Sequence, residues 1–362
     1  MKAGLEDVIA AETRLSHVDG VHGELVVRGH TIQELADSWT FEETTHLLFE
    51  GLFDELPSLN RFRALMGEGR THAFALTKFM DAQLLALEPM DAMRALMARI
   101  PDGDDLTSAI RLAAAPGVLL PAILRARAGF GAIAPDTMRG HAEDMLRMLN
   151  DAQPSCELSA ALDTYLVTVC DHGLNASTFA ARVVASTLSG LTSSALAGLC
   201  ALKGPLHGGA PGPVLLMLDG IGESENAGAW LAAALDRGDR LMGFGHRIYK
   251  VRDPRADALK KAVKKLAVSS SGLPGRLALA EAVETAALTI LQQRKPDRSL
   301  DVNVEFYTAL LLEALGFPAD ALTAVFAAGR TPGWIAHARE QRLTGRLLRP
   351  QSHYIGPMAN AA

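Results

Sequence analysis

The sequence predicts an all-α fold, and three observations lead to that prediction. Apolar residues recur with helical spacing along most of the chain, whereas the strict alternation typical of half-buried strands is scarce. Many stretches are rich in Ala and Leu, and aromatic residues make up only 5% of the chain, which favours close helix packing. With 362 residues, 49% of them hydrophobic, the chain is long enough for a large core in about two domains.

The first two elements of note lie in the N-terminal half. Residues 24–28 alternate in polarity, so we expect a small hairpin there. Residues 183–202 form a 20-residue run without a charge, which is long enough to cross a bilayer. Because eight of the twenty are Ser, Thr or Gly, we expect instead a buried helix. Small residues at Ser186, Gly190 and Ser194 predict that another helix approaches it closely.

Two amphipathic helices are predicted in the C-terminal half. Asp253 suits a helix cap and Pro254 the first helical position. The apolar face of this helix, opposite four lysines, carries Leu259, Val263 and Leu266. A second helix follows the breaker at residues 272–275, and its apolar face carries Leu279, Val283, Ala287 and Ile290.

Composition restricts the possible functions. The chain has 35 Lys and Arg against 41 Asp and Glu, a net charge of −6, so a broad surface for nucleic acid or an anionic membrane is not favoured. The cysteines match no zinc or redox spacing, which indicates free thiols in a reducing compartment; they are Cys156, Cys170 and Cys200. The first twelve residues lack the apolar stretch of a targeting signal, so we expect a cytoplasmic protein.

Four short segments combine glycine or small residues with a histidine, an arginine or an acid. They are GPLHGGA at 204–210, GFGHRIYK at 243–250 followed by RDPR, NVEFY at 303–307, and GRTPGW at 329–334 with RLLRP at 346–350. Glycines let a backbone approach a ligand, clustered cations suit phosphates or carboxylates, and an acid in an apolar run can serve as a base. Taken singly, each is equally typical of a cap, a solvated loop or surface charge.

A fifth, weaker segment is DHGLNAS at 171–177. The sequence contains no His-Glu-x-x-His pattern, no Gly-x-Ser-x-Gly elbow and no Walker loop. The Gly-x-Gly at 243–245 follows no βαβ pattern, so it does not indicate a dinucleotide fold. No metal site is predicted.

In this order and spacing, the segments resemble the citrate synthase family, from Gly4-Leu5-Glu6 through Val18-Asp19-Gly20 to Arg349-Pro350. The resemblance implies an all-α homodimer whose subunit has a large helical domain, residues 1–211 and 317–362, and a smaller mobile domain, residues 212–316. It implies condensation of acetyl-CoA with oxaloacetate and hydrolysis to citrate and CoA, a step of the tricarboxylic acid cycle. No cofactor is implied, because the CoA thioester is a substrate.

The resemblance also implies residue roles. His207 would bind the enol oxygen of acetyl-CoA, His246 would polarise and protonate the oxaloacetate carbonyl, and Glu305 would be the base. The oxaloacetate ligands would be His172, His246, Arg255, Arg330 and Arg349, the last reaching the partner's site. The CoA-binding residues would be Gly243, Phe244, Gly245 and Lys250.

The chain departs from the family pattern at two places. The base is normally Asp, and Glu305 adds one methylene, which moves a carboxylate by about an ångström and can lower a rate on the order of 100-fold. Asp301, four residues earlier, is the alternative if both lie on one helical face. Thr331-Pro332 replaces small residues after Arg330 and is expected to alter how that helix starts.

Three functions remain open from the sequence. Citrate synthase is the simplest. A 2-methylcitrate synthase using propionyl-CoA differs by one methylene, worth about 1–3 kcal/mol in a pocket, so no motif separates the two. A low-turnover paralogue that binds CoA or a dicarboxylate is suggested by Glu305, although the presence of both histidines and all three arginines argues against it.

Overall fold

The computed structural model describes residues 3–5, 8–208, 211–269, 272–296, 298 and 300–358. Glu6, Gly209 and Ala210 of the predicted motifs lie outside these residues. A three-stranded antiparallel sheet near the N-terminus has the order β1–β2–β3, with strands Ser16–Asp19, Glu24–Val27 and His30–Thr31. Val18 pairs with Leu25 and Val26 with Thr31. The predicted hairpin is therefore confirmed.

Helices make up most of the remainder, which confirms the all-α prediction. The helices before the first site segment are α1 (Ile32–Ser38), α2 (Phe41–Phe49), α3 (Leu59–Phe74), α4 (Ala82–Leu85), α5 (Pro89–Met97), α6 (Leu106–Ala114), α7 (Pro116–Arg127), α8 (His141–Asn150) and α9 (Cys156–Thr168). Those that follow are α10 (Ala176–Ala185), α11 (Leu191–Leu202), α12 (Pro211–Ile221), α13 (Ala227–Asp236), α14 (Pro254–Ser269), α15 (Leu273–Arg294), α16 (Val304–Ala314) and α17 (Leu322–Thr344). Short 3-10 helices cover Ala3–Leu5, Ala75–Phe79, Ser224–Asn226 and Ala319–Ala321.

The uncharged run at 183–202 is not one helix, so that prediction is wrong. It is divided between α10 and α11, and the turn between them places Leu188 in the left-handed region at φ 65°. Ser186 and Gly190 lie at the ends of the two helices. The close approach occurs at Gly198, where an added Cβ would lie 2.8 Å from the Trp334 ring of α17.

The two C-terminal amphipathic helices are confirmed. Helix α14 begins at Pro254, as predicted, and its Leu259, Val263 and Leu266 are buried. Helix α15 begins at Leu273, so residues 273–275 are its first turn rather than a breaker, with Pro274 in a position that needs no helical hydrogen bond.

One stretch, Leu106–Arg127, is long and apolar enough to span a membrane, with a mean hydropathy of 1.5. It consists of α6 and α7, which meet at Ala115, and 78% of its apolar window is buried inside the protein. Core helices of large proteins commonly have this character. The division into domains at residues 211 and 317 stays a prediction.

Candidate active site

Helix α16 places Glu305 in its first turn. The Asn303 side chain caps the helix and accepts a hydrogen bond from the Glu305 backbone N–H at 3.0 Å. Glu305 is only 9% exposed, and its Oε2 has no hydrogen-bond partner in the described part of the chain. Burial raises its pKa to about 7, although the charges of Arg255 and Arg330 oppose the shift. A carboxylate with this pKa and a free oxygen is suited to general-base work near neutral pH.

The segment before α16 binds the glycine-rich loop that leads to His246. The Gly245 N–H donates to the Asp301 carbonyl at 2.7 Å, and the Asn303 side chain donates to the Gly245 carbonyl at 2.8 Å. Gly243 and Gly245 have φ of 83° and 81°, and a Cβ on Gly243 would lie 2.8 Å from Phe306. These two positions therefore require glycine, and they hold the loop beside Glu305.

The glycine-rich loop determines which nitrogen of the His246 ring carries the proton. Its Nδ1 accepts hydrogen bonds from the backbone N–H groups of Ile248 at 3.0 Å and Tyr249 at 3.1 Å. The ring proton consequently lies on Nε2. Burial and the Arg255 charge lower the His246 pKa to about 4, so at neutral pH the ring is a neutral donor.

His207 is a neutral donor through its other nitrogen. Its Nε2 accepts from the Ser177 backbone N–H at 3.3 Å and lies 2.8 Å from Ser177 Oγ, so the ring proton is on Nδ1. Burial and Arg330 lower the His207 pKa to about 4. Ser177 is itself held by Trp334, whose Nε1 donates to Oγ at 3.1 Å. Ser177 was not among the predicted site residues, although it lies in the weaker fifth segment.

Two buried arginines face this group. Asp253 forms a two-point ion pair with Arg255, from Nε at 3.0 Å and Nη2 at 2.8 Å. Arg330, 1% exposed, donates from Nε to the Val169 carbonyl, but neither Nη1 nor Nη2 has a partner in the described part of the chain. Burial lowers the Arg330 pKa to about 10, so the guanidinium stays charged at neutral pH. A buried guanidinium with two nitrogens that make no hydrogen bond is suited to bind an anion.

His172 completes the cluster. Its Nε2 lies 3.1 Å from the Tyr249 hydroxyl, and its ring centroid is 5.7 Å from that of His246. Burial, Arg255 and Arg330 hold the His172 pKa well below its usual value. The structure thus brings together the predicted residues His172, His207, His246, Arg255, Arg330 and Glu305.

Two other predicted binding residues lie on the surface. Lys250 is exposed at the end of the glycine-rich loop, and Arg349 is exposed on the segment after α17. The Lys250 charge nevertheless contributes to the lowered pKa of the His246 ring.

The helix boundaries bear on two expectations, one about Asp301 and one about Thr331-Pro332. Because α16 begins at Val304, Asp301 lies outside it and shares no helical face with Glu305; it is paired with Arg252 at 3.3 Å. The expected effect of Thr331-Pro332 on a helix start is wrong, since α17 begins at Leu322. The Thr331 hydroxyl instead donates to the Ala327 carbonyl at 2.7 Å inside the helix.

A buried ionic network behind His172 has no counterpart in the sequence prediction. Asp171 contacts His337 Nε2 at 3.1 Å, and Arg182 bonds to His337 Nδ1 at 3.0 Å and to Glu340 at 2.7 Å. Arg182 also donates to Gln341 at 3.0 Å. The partners are up to 166 residues apart in the chain, so no local motif could reveal them.

Comparison with known proteins gives a consistent result. Residues 4–351 match the family described as "Citrate synthase, C-terminal domain". The citrate synthase of Haloferax volcanii is 37% identical over 374 residues, covering 98% of this chain and 96% of that one. The crystal structure of citrate synthase from Thermotoga maritima superposes with a TM-score of 0.85 at 33% identity, covering 100% of this chain and 98% of that one. A ternary complex of the Thermoplasma acidophilum enzyme with carboxymethyl coenzyme A and oxaloacetate has a TM-score of 0.86 at 28% identity, with 99% and 97% coverage.

Proposed function

The chain belongs to the citrate synthase family, and we propose that it condenses acetyl-CoA with oxaloacetate and hydrolyses the product to citrate and CoA. The observation that carries this proposal is the buried Arg330 guanidinium with two free nitrogens, in one cluster with Glu305 and three neutral histidines. A doubly charged acid completes such a cluster, whereas an apolar ligand leaves the guanidinium unpaired.

We assign the cationic side of the cluster to oxaloacetate. Nη1 and Nη2 of Arg330 are free to hold one carboxylate by two parallel hydrogen bonds. We assign the second carboxylate to Arg255 and His172, whose charges and rings lie in the same cluster. The Nε2–H of His246 is the donor toward the ketone, and polarising that carbonyl makes its carbon electrophilic.

Glu305 and His207 act on acetyl-CoA. The free Oε2 of Glu305 removes a proton from the methyl group, while His207 Nδ1–H stabilises the enolate oxygen that develops. The enolate carbon then attacks the ketone carbon of oxaloacetate, and the new alkoxide takes the Nε2 proton of His246. The proton that Glu305 took restores His246 before the next turnover. Water cleaves the thioester and releases CoA. Each histidine does this as a neutral donor, which fits pKa values of about 4 for both.

The glycine-rich loop and Lys250 are proposed for the rest of CoA. Gly243 and Gly245 have backbone angles that favour glycine, and the Phe244 side chain is turned into the core, so we assign the contact with the CoA base to the backbone of this loop. Lys250 is exposed, and its Nζ donates to the Arg247 carbonyl at 3.5 Å, a long hydrogen bond that a CoA phosphate can replace. No metal or prosthetic group is needed in this mechanism.

A steady-state assay of CoA release with oxaloacetate and either acetyl-CoA or propionyl-CoA tests the function. We expect a higher kcat/KM with acetyl-CoA, with citrate identified by mass. A preference for propionyl-CoA would make the enzyme a 2-methylcitrate synthase. Binding of oxaloacetate without turnover of either thioester would instead identify a low-turnover paralogue.

We propose a homodimer in which Arg349 completes the partner's site, because it is exposed on a tail beyond the last helix. Glu305→Gln and Arg349→Ala subunits would each form inactive homodimers. In a mixed dimer one site carries both defects and the other neither, so random re-association restores about one quarter of wild-type activity. If mass spectrometry detects mixed dimers and no activity returns, Arg349 serves its own subunit.

We also propose a cytoplasmic location. All three thiols, Cys156, Cys170 and Cys200, are free, which fits a reducing compartment. Burial raises the pKa of the Cys170 thiol to about 12, so this thiol is inert at neutral pH.

A further inference from the structure

The Val18-Asp19-Gly20 motif has no role in the chemistry above, yet its hairpin contacts two loops of the cluster. Strand β1 runs from Ser16 to Asp19 and pairs along its whole length with β2. Leu25 and Val27 of β2 are buried, so the ladder is anchored in the core. The two contacts lie at opposite ends of β1, and a strand of four residues spans about 13 Å.

The first contact fixes the loop of His172. The Ser16 hydroxyl donates to the Asp171 carboxylate, and the Gly173 backbone N–H donates to Ser16 Oγ at 3.0 Å. Ser16 thereby holds the residues on both sides of His172. Val18 supports the same loop, because a Cβ on Gly173 would lie 3.3 Å from its methyl group.

The second contact fixes the loop of His246 and Tyr249. The Lys250 backbone N–H donates to the Gly20 carbonyl at 2.7 Å. A Cβ on Gly20 would lie 2.4 Å from the Ile248 carbonyl oxygen, closer than any side chain can come without displacing that loop. Ile248 is one of the two residues whose N–H fixes the His246 ring. The glycine at position 20 is therefore required by the loop it touches.

We propose that the N-terminal hairpin, residues 16–27, is a clamp that holds the His172 loop and the His246 loop at the spacing needed to bind oxaloacetate. One ladder touches both loops, so a displacement of either contact changes their separation. The 3.1 Å approach of His172 Nε2 to the Tyr249 hydroxyl depends on that separation. Ser16 and Gly20 are positioning residues, and their assignment rests on the proposed oxaloacetate site.

Gly20→Ala tests the clamp, with Gly131→Ala as the matched control. Gly131 has nothing within 4 Å of an added Cβ, and neither glycine has a positive φ, so the two changes differ only in what the methyl group meets. Calorimetric titration with oxaloacetate alone should give a Kd raised at least about tenfold in Gly20→Ala, a displacement effect of the size that misplaced groups produce. Gly131→Ala should bind as wild type does.

Ser16→Ala is a second test of the clamp in case Gly20→Ala does not fold. We expect Ser16→Ala to fold, because Asp171 keeps its contact with His337 when the Ser16 hydroxyl is removed. Its oxaloacetate Kd should also rise while its thermal midpoint stays near wild type. If one clamp sets the distance between the two loops, either substitution alone already changes that distance. The rise in Kd in the double variant should then be smaller than the product of the two single rises.

The possible failures are distinguishable. If wild type binds oxaloacetate and both variants bind it equally well, the clamp is refuted and the proposed function stands. If the losses multiply independently, the hairpin stabilises each loop separately and the clamp is again refuted. If wild type itself does not bind oxaloacetate, the proposed function is what fails.

Discussion

Arg182 on α10 and Arg330 on α17 are both fully buried arginines in the same part of the molecule, and they differ in how completely they are paired. Arg182 donates to Gln341, His337 and Glu340. Arg330 donates only to a carbonyl, and its two terminal nitrogens have no partner in the described part of the chain.

The contrast shows that burial by itself does not identify a functional charge. An unpaired buried cation is costly, whereas a hydrogen-bonded pair recovers much of that cost. The fold pairs Arg182 within the chain, which fixes α10 against α17. Arg330 feels the charge of Asp171, yet its two terminal nitrogens have no hydrogen-bond partner among the described residues, which fits the proposed oxaloacetate site. Glu305, with an unpaired Oε2 and a raised pKa, is the acidic equivalent.

The largest effect is expected from removing the charge of that acid. Glu305→Gln preserves size but cannot accept a proton, so kcat should fall at least about 100-fold in steady-state assays. Asp301→Asn is the control, because Asp301 is paired with Arg252 and lies outside α16. Turnover near wild type in Glu305→Gln would show that the base is elsewhere.

Arg182→Met should next lower the free energy of unfolding by about 3–5 kcal/mol, because it leaves Glu340 buried without its cation. Urea denaturation measures this change. Arg61→Ala is the comparison, since its exposed pair with Glu68 is worth at most about 1 kcal/mol. An equally small loss for Arg182→Met would contradict a structural role for complete pairing.

Arg330→Met also replaces a buried arginine with methionine, but we expect it to weaken substrate binding rather than to lower stability. The free energy of unfolding in the absence of substrate should fall much less than in Arg182→Met, because no carboxylate of the described residues is hydrogen-bonded to the Arg330 side chain. The KM for oxaloacetate should rise at least about 100-fold, since two charge-assisted hydrogen bonds are removed. An equal loss in the free energy of unfolding for Arg330→Met and Arg182→Met would show that Arg330 is a structural residue as Arg182 is.

The smallest effect concerns pH. Glu305 is active when ionised, so kcat/KM for acetyl-CoA should rise about tenfold per pH unit below its pKa of about 7 and level off above it. The free energy of unfolding depends on pH in the opposite direction. Because the pKa of Glu305 in the folded protein exceeds the ordinary value of 4.5, protonated Glu305 contributes its full stabilisation below pH 4.5. This contribution is lost as the pH rises through 7. Glu305→Gln should remove that loss of stability between pH 4.5 and 8.

Local signals account for what the sequence predicted well. The start of α14 was predictable because Asp253 and Pro254 are adjacent cap and first-turn residues, and the structure adds that Asp253 also pairs with Arg255. The site residues were predictable only through motif resemblance; composition and periodicity alone do not bring 172, 207, 246 and 305 together.

Contacts between distant segments account for what was missed. The start of α11 depends on Asp102, which accepts from the Ser193 N–H at 3.0 Å and would collide with any side chain at position 190. A run without charges gives no sign of this. The His337 network likewise joins segments more than 150 residues apart, so its residues look like ordinary helical positions in the sequence.

Because Arg330 has two nitrogens available for a ligand, the lifetime of the protein in the cell is linked to the concentration of oxaloacetate. A ligand that binds only the folded chain stabilises it by about 2.7 kcal/mol at one hundred times its Kd. Oxaloacetate bound at the proposed site would give that stabilisation next to a guanidinium whose terminal nitrogens have no partner in the described part of the chain. A low concentration of oxaloacetate therefore raises the fraction of unfolded chains that proteases can degrade, and a high concentration lowers this fraction. Under this linkage, the cellular amount of the enzyme follows the availability of its own substrate.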